Sequence, residues 1–161
     1  MSEVYDRLVQ HAYFLVEVVA KEYKEDKKIA FFPVLAGIGN CAVEYRGQGH
    51  NSYAVVDAIN EYYWNTKDET IKNGYEDGIL TMIRLAKNIQ SLQDTLDILY
   101  YQCKLEKEGK AKVHVNVAKI VEFFNKNMKD NYDELNNILD FLDWYNGQKK
   151  LAKSKYGLEL Y

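Results

Sequence analysis

Residues 3–25 read EVYDRLVQHAYFLVEVVAKEYKE, and the spacing of their apolar side chains decides the kind of fold this chain makes. Val4, Leu8, Ala12, Leu15, Val16, Val19 and Tyr23 recur three and four residues apart, which puts them on one stripe of an α-helix. Ser2 stands in front as a capping residue. Glu3 and Asp6 fall in the first turn and Lys24, Lys27 and Lys28 near the end, the charge order a helix dipole favours. A helix with one dry side needs other helices to cover it.

Outward from this stretch the same period returns. Pro33 suits a first helical position, and Val34, Ile38, Cys41 and Tyr45 predict a helix from Pro33 to Tyr45 in which Gly37 and Gly39 permit close packing. Val55, Val56, Ile59, Tyr62 and Tyr63 predict another that ends near Trp64. Thr66 and Glu69 have the T-x-x-E spacing of a capping box, and Asn73-Gly74 interrupts the turn it opens. Tyr75, Ile79, Met82, Ile83, Ala86 and Ile89 mark the next helix. Ser91 and Asp94 read as a fresh cap for a stripe of Leu92, Leu96, Leu99 and Cys103 that stops near Gly109, either as a second helix or as the far half of a kinked one.

From Lys110 to Val117 valines alternate with His114 and Asn116, a pattern shared by a short strand and an extended loop. Asn116 can cap a helix carrying Val117, Ile120, Val121, Phe124 and Met128. Asn131 and Glu134 then open a last helix, with Leu135, Ile138, Leu139, Leu142 and Tyr145 towards the core and Gly147 at its end. A basic tail follows from about residue 148. The expected fold is all-α: one domain over 1–161, a bundle of six or seven helices, with one short extended segment as an open option.

Composition narrows the function. At 161 residues the chain has the length of one domain, and with 47% apolar residues it can bury a core without staples. Cys41 and Cys103 stand alone, so neither a disulfide framework nor a zinc finger is available, and reduced cytoplasmic thiols are expected. With 24 acids against 21 bases and a net charge of -3, bulk charge makes no case for duplex DNA or an anionic membrane. No run of 18 apolar residues spans a bilayer, and the N-terminus lacks the basic region of a signal peptide. Abundant Tyr, Asn, Lys and Ile, with arginine confined to Arg7, Arg46 and Arg84, match AT-rich coding of the sort found in a low-GC bacterium, its phages or its mobile elements.

The most loop-like hexapeptide, RGQGHN, is the candidate ligand site. Arg46 and His50 are flanked by Gly47 and Gly49, whose freedom at positive φ leaves backbone N–H groups able to meet an anion, and Asn51 and Tyr53 follow directly. As a catalytic alternative, Arg46 and His50 would serve a helical RNase-like or nucleotide-cleaving enzyme, the arginine stabilising phosphate charge and the histidine moving protons. Only three residues separate them, shorter than the arginine–histidine motif of helical nucleases. Cys41 with His50 as base is too closely spaced for a papain-like arrangement, and both cysteines read as core.

No cofactor or metal is expected. No histidine sits three residues after a glutamate, HExxH is absent, and GIGNCAVEYRGQG lacks the GxxxxGK[ST] of a phosphate loop. The pairs Asp94/Asp97 and Asp140/Asp143 read as solvated helix faces. Fourteen tyrosines carry more weight: neighbours such as Tyr62/Tyr63 and Tyr100/Tyr101 diverge by about 100° on a helix, so they cannot share one core face. The expected function is therefore binding without covalent chemistry, as an inhibitor or accessory protein that contacts a protein partner, a small anionic ligand or a second copy in a homodimer.

Overall fold

Between Ala54 and Asn60 only Asp57 and Asn60 are polar, and a helix that is apolar around most of its circumference belongs inside. In the computed structural model, which describes residues 3–25, 51–86, 88–131 and 138–161, this stretch is the central rod. Ala54, Val55, Val56, Ala58 and Ile59 are all buried. Among the described residues there are six helices and no strand: α1 (Glu3–Glu25), α2 (Asn51–Thr66), α3 (Thr70–Leu85), α4 (Ile89–Lys107), α5 (Val117–Asn131) and α6 (Ile138–Leu151). The last continues into a π-helical turn, Ala152–Tyr156. The all-α bundle is as expected, while the helix anticipated over Pro33 to Tyr45 lies outside the described residues.

The stripe on α1 packs on α2 through Leu8, Ala12, Val16 and Val19, with Tyr5 and Ala20 added to it. The two helices run in the same direction, since Tyr5 reaches Asp57 and Tyr13 meets Asn65 at one constant offset of 52 residues. α6 meets α4 through two side-chain bonds, Trp144 donating to Gln93 and Tyr100 to Gln148. Tyr75 of α3, fully buried, donates its hydroxyl to Gln102 of α4 and ties these two into the same core.

Several boundaries differ from the sequence reading, each for a local reason. Thr66 bonds back to the Tyr62 carbonyl within α2, and Glu69 accepts the Tyr63 hydroxyl, so the T-x-x-E pair does not cap α3. Asp68 does: its Oδ1 accepts both the backbone N–H and the hydroxyl of Thr70. Asn88 rather than Ser91 caps α4, accepting from the Ser91 N–H at 2.8 Å. Asn73-Gly74 does not interrupt α3, and Gly74 lies buried mid-helix. Gly147 likewise lies within α6, and the helical run stops only at Gly157, whose φ of 67° lets the backbone turn out. The basic tail from 148 is thus mostly helical.

The segment after α4 is a loop. Gly109, at φ 71°, ends the helix as expected, and Ala111, Val113 and Val115 then point inward. What replaces strand pairing is side-chain bonding from α2 and from α4 itself. Asn60 Oδ1 accepts the N–H groups of Lys112 and Val113 at 2.7 and 3.0 Å, Gln102 Nε2 donates to the Val113 carbonyl, and Glu106 accepts from the Val115 N–H. Asn116, as expected, caps α5 by accepting from the Lys119 N–H.

α6 buries a different face from the one its leucines suggest. Phe141 and Tyr145 are 5% and 4% exposed, with Trp144 beside them, whereas Leu139 and Leu142 are 76% and 46% exposed. Aromatic side chains each remove about 150–250 Å² from water, so a stripe of Phe141, Trp144 and Tyr145 outweighs an aliphatic one on the same helix. The rings stack together, Phe141 on Tyr145 at 5.6 Å and Phe124 of α5 on Tyr145 at 6.4 Å.

Candidate binding surface

Arg46, Gly47, Gly49 and His50 lie outside the described residues, as does Cys41, so the loop site and its catalytic alternative are not placed. Asn51 opens α2. Tyr53 belongs to an internal cluster: its ring lies flat on Tyr101 of α4, centroids 4.4 Å apart at 18°. Burial raises its phenol, and the nearby Asp97 carboxylate adds to the effect.

That cluster is built around Asp57, one of the two polar groups of the central rod. Its carboxylate accepts two phenols, Tyr5 of α1 at Oδ2 and Tyr101 of α4 at Oδ1, the second at 2.7 Å. Burial, then the bonded carboxylate, pushes both phenols far above their ordinary range, so they remain donors. One turn before Tyr101, Asp97 is raised by burial although Gln93 donates to it at 2.6 Å. Next to it Tyr100 stacks on Tyr156 of the π-helical turn at 4.5 Å and 3°. The arrangement holds three helices at fixed positions and keeps every phenol neutral. Cys103 is half-buried, and burial together with the Glu106 charge pushes its thiol up to about 11, leaving it protonated and inert, as a core cysteine should be.

Among the described residues, the tyrosines other than Tyr161 are therefore spent inward. Tyr5, Tyr62, Tyr75, Tyr100 and Tyr145 are buried, and Tyr13, Tyr53, Tyr63, Tyr101 and Tyr156 are half-buried. Adjacent tyrosines do diverge, but each member of a pair finds a different neighbour: Tyr62 meets Tyr13 and Tyr63 meets Glu69. The acids of the pair Asp94/Asp97 are bonded by Gln90 and Gln93, and among the described residues no three His, Cys, Asp or Glu side chains converge as metal ligands. No helix among them is long and apolar enough to cross a membrane.

Among the described residues, exposed apolar side chains include Leu85, Leu151 and Tyr161 and three further groups. Leu139 and Leu142 occupy the outer face of α6, and Phe14 and Val18, one turn apart, the outer face of α1. A third patch is Trp64, 54% exposed at the end of α2, with the Lys67 ammonium 3.4 Å from its ring centroid and that of Lys112 at 4.4 Å. There is also a groove of about 570 Å³ where residues 157–161 lie along α5, lined by Val117, Val121, Asn125, Leu158 and Tyr161. Asn125 closes its floor, donating to the Glu159 carbonyl and accepting the Tyr161 N–H. Sequence reasoning missed Trp64 and Lys67; the available signal was a lysine placed three residues after a tryptophan, just past the end of a helical stripe.

No family model, curated protein or solved structure matches this chain.

Proposed function

We propose that the chain is a binding protein without covalent chemistry, of inhibitor or accessory type, that works through protein–protein contacts made by the outer face of α6. The observation that carries this is a helix apolar on two sides: α6 buries Phe141 and Tyr145 and still presents Leu139 and Leu142 to solvent. Leaving two leucines in water costs solubility and contributes nothing to the fold, and exposed apolar groups grouped on one face are characteristic of contact surfaces. Phe14 and Val18 on α1 repeat the pattern. A cytoplasmic setting in a phage or mobile element is supported by the AT-rich residue usage and the isolated cysteines. The second copy of the chain is the simplest partner, since symmetric dimers are common.

Sedimentation of the wild type and of Leu139→Glu/Leu142→Glu, followed by crosslinking in the source cell, tests the reading. The wild type is expected to self-associate or crosslink to a partner, and the double variant to lose that contact while melting at the same temperature. Retention of every contact by the double variant would remove α6 as the surface.

A further inference from the structure

The patch at Trp64 has the marks of a built site, and it is independent of α6. Lys67 is the one described residue other than glycine with a positive φ, 54°. Its N–H closes the end of α2 on the Tyr63 carbonyl at 2.7 Å, a position where glycine fits without strain. The left-handed turn brings the lysine side chain back over the ring of Trp64, three residues earlier. Lys112 is fixed from the other direction. Its backbone N–H is held at 2.7 Å by Asn60, a side chain only 5% exposed, which also bonds the Val56 carbonyl of α2. Two ammoniums, each on a constrained backbone, thus meet at one exposed indole.

Their charges are unanswered within the described residues. Neither Lys67 nor Lys112 has a carboxylate within 4.0 Å; several other described lysines also lack one, but these two alone converge on a single exposed ring. In a chain of net charge -3, two cations are concentrated where no internal anion meets them. A nucleobase stacking on the ring would compete with the ammoniums that lie over it. A carboxylate needs no displacement: it binds the outward side of an ammonium whose inner side rests on the ring. We propose that Trp64, Lys67 and Lys112 form a docking site for an acidic peptide segment of a protein partner, whose carboxylates pair with the two ammoniums that the indole holds in place. The part of Trp64 left exposed, 54%, adds apolar contact beside the ammoniums.

The test uses the full chain labelled with ¹⁵N. Trp64 and Trp144 give two indole N–H signals, and loss of one in Trp64→Phe assigns them. A synthetic peptide of alternating glutamate and leucine is titrated against an equal-length peptide of glutamine and leucine and against oligothymidylate. The acidic peptide is expected to shift the Trp64 signal saturably, less so at high salt, and to leave Trp144 unmoved. Lys67→Gly and Lys112→Ala should each weaken binding about threefold and together about tenfold. Lys67→Gly suits the existing backbone, and Lys112 engages Asn60 only through its main chain, so both variants keep their melting temperature. An unmoved Trp64 signal overturns the proposal. So do an equal response to the neutral peptide, a response to oligothymidylate in place of the acidic peptide, or unchanged binding by the two lysine variants.

Discussion

At the scale of single residues, two positions carry more than their local sequence suggests. Asn60 bonds three backbone groups at once: it donates to the Val56 carbonyl and accepts from the N–H groups of Lys112 and Val113. Asn60→Ala leaves those two N–H groups, at the edge of the core, without an acceptor, at a cost of about 1–3 kcal/mol each. A loss of about 2–6 kcal/mol in urea unfolding is expected, with faster hydrogen exchange from residue 111 to 115. Lys67 works in the opposite sense. Lys67→Gly relieves a left-handed strain of about 1 kcal/mol and loses a cation–π contact of about 0.5–1 kcal/mol, so the unfolding midpoint stays level or rises slightly. Lys67→Ala keeps the strain and loses the contact, and falls by about 0.5–1 kcal/mol. A clear drop for glycine would show that the left-handed turn is not where the cost lies.

At the scale of elements, α6 separates pattern from packing. Phe141→Ala should cost about 3–5 kcal/mol, as for any aromatic cut out of a core, whereas Leu139→Glu should change stability by no more than about 0.5 kcal/mol. The reverse order, read by thermal or urea unfolding, would mean that the leucines face inward. The same helix shows how far sequence reading goes. α1, α3 and α4 were legible because each has one apolar stripe, and Leu8, Ala12 and Val16 or Tyr75, Ile79 and Ile83 fall where the period puts them. α6 has two stripes, and period alone cannot weigh rings against leucines. Helix ends were half-legible: Asn116 and Gly109 act as read, while Asp68 displaced Thr66 because an aspartate two residues further on offers the better acceptor to Thr70. The loop from 110 to 116 was illegible as structure, since its backbone partners are side chains such as Asn60, 52 residues away. As for the candidate site, Tyr53 was expected to face a ligand and instead lies on Tyr101; no local signal marks a residue that will be 48 positions from its stacking partner.

At the scale of the whole molecule, the tyrosines set the alkaline limit of the fold. Tyr5, Tyr75, Tyr100 and Tyr101 all have phenols raised above the ordinary 10.0, chiefly by burial. A raised phenol leaves stability intact below the unfolded value and removes it as pH climbs from there towards the folded one, because only the unfolded chain can release the proton. Each such group contributes about 1.4 kcal/mol per pH unit. Urea midpoints should hold level to about pH 9 and then fall steeply, with phenolate absorbance at 295 nm appearing together with loss of helix; phenolate that appears while the helix persists would contradict the burial. The co-directional pairing of α1 with α2 has a further consequence, for the order in which the chain folds. Helices that run the same way cannot be joined by a tight turn, and residues that meet across this pair stand 52 apart. Closing a loop of that size costs about 3.5 kcal/mol of chain entropy before any contact offsets it. Tyr75 and Gln102 are only 27 apart, and Gln102 and Val113 only 11. The α3–α4 unit and its following loop are therefore expected to assemble before α1 docks on α2. In native-state exchange α1 should be the first helix to open, and the bond from Tyr5 to Asp57 the tie whose loss, in Tyr5→Phe, speeds that opening most.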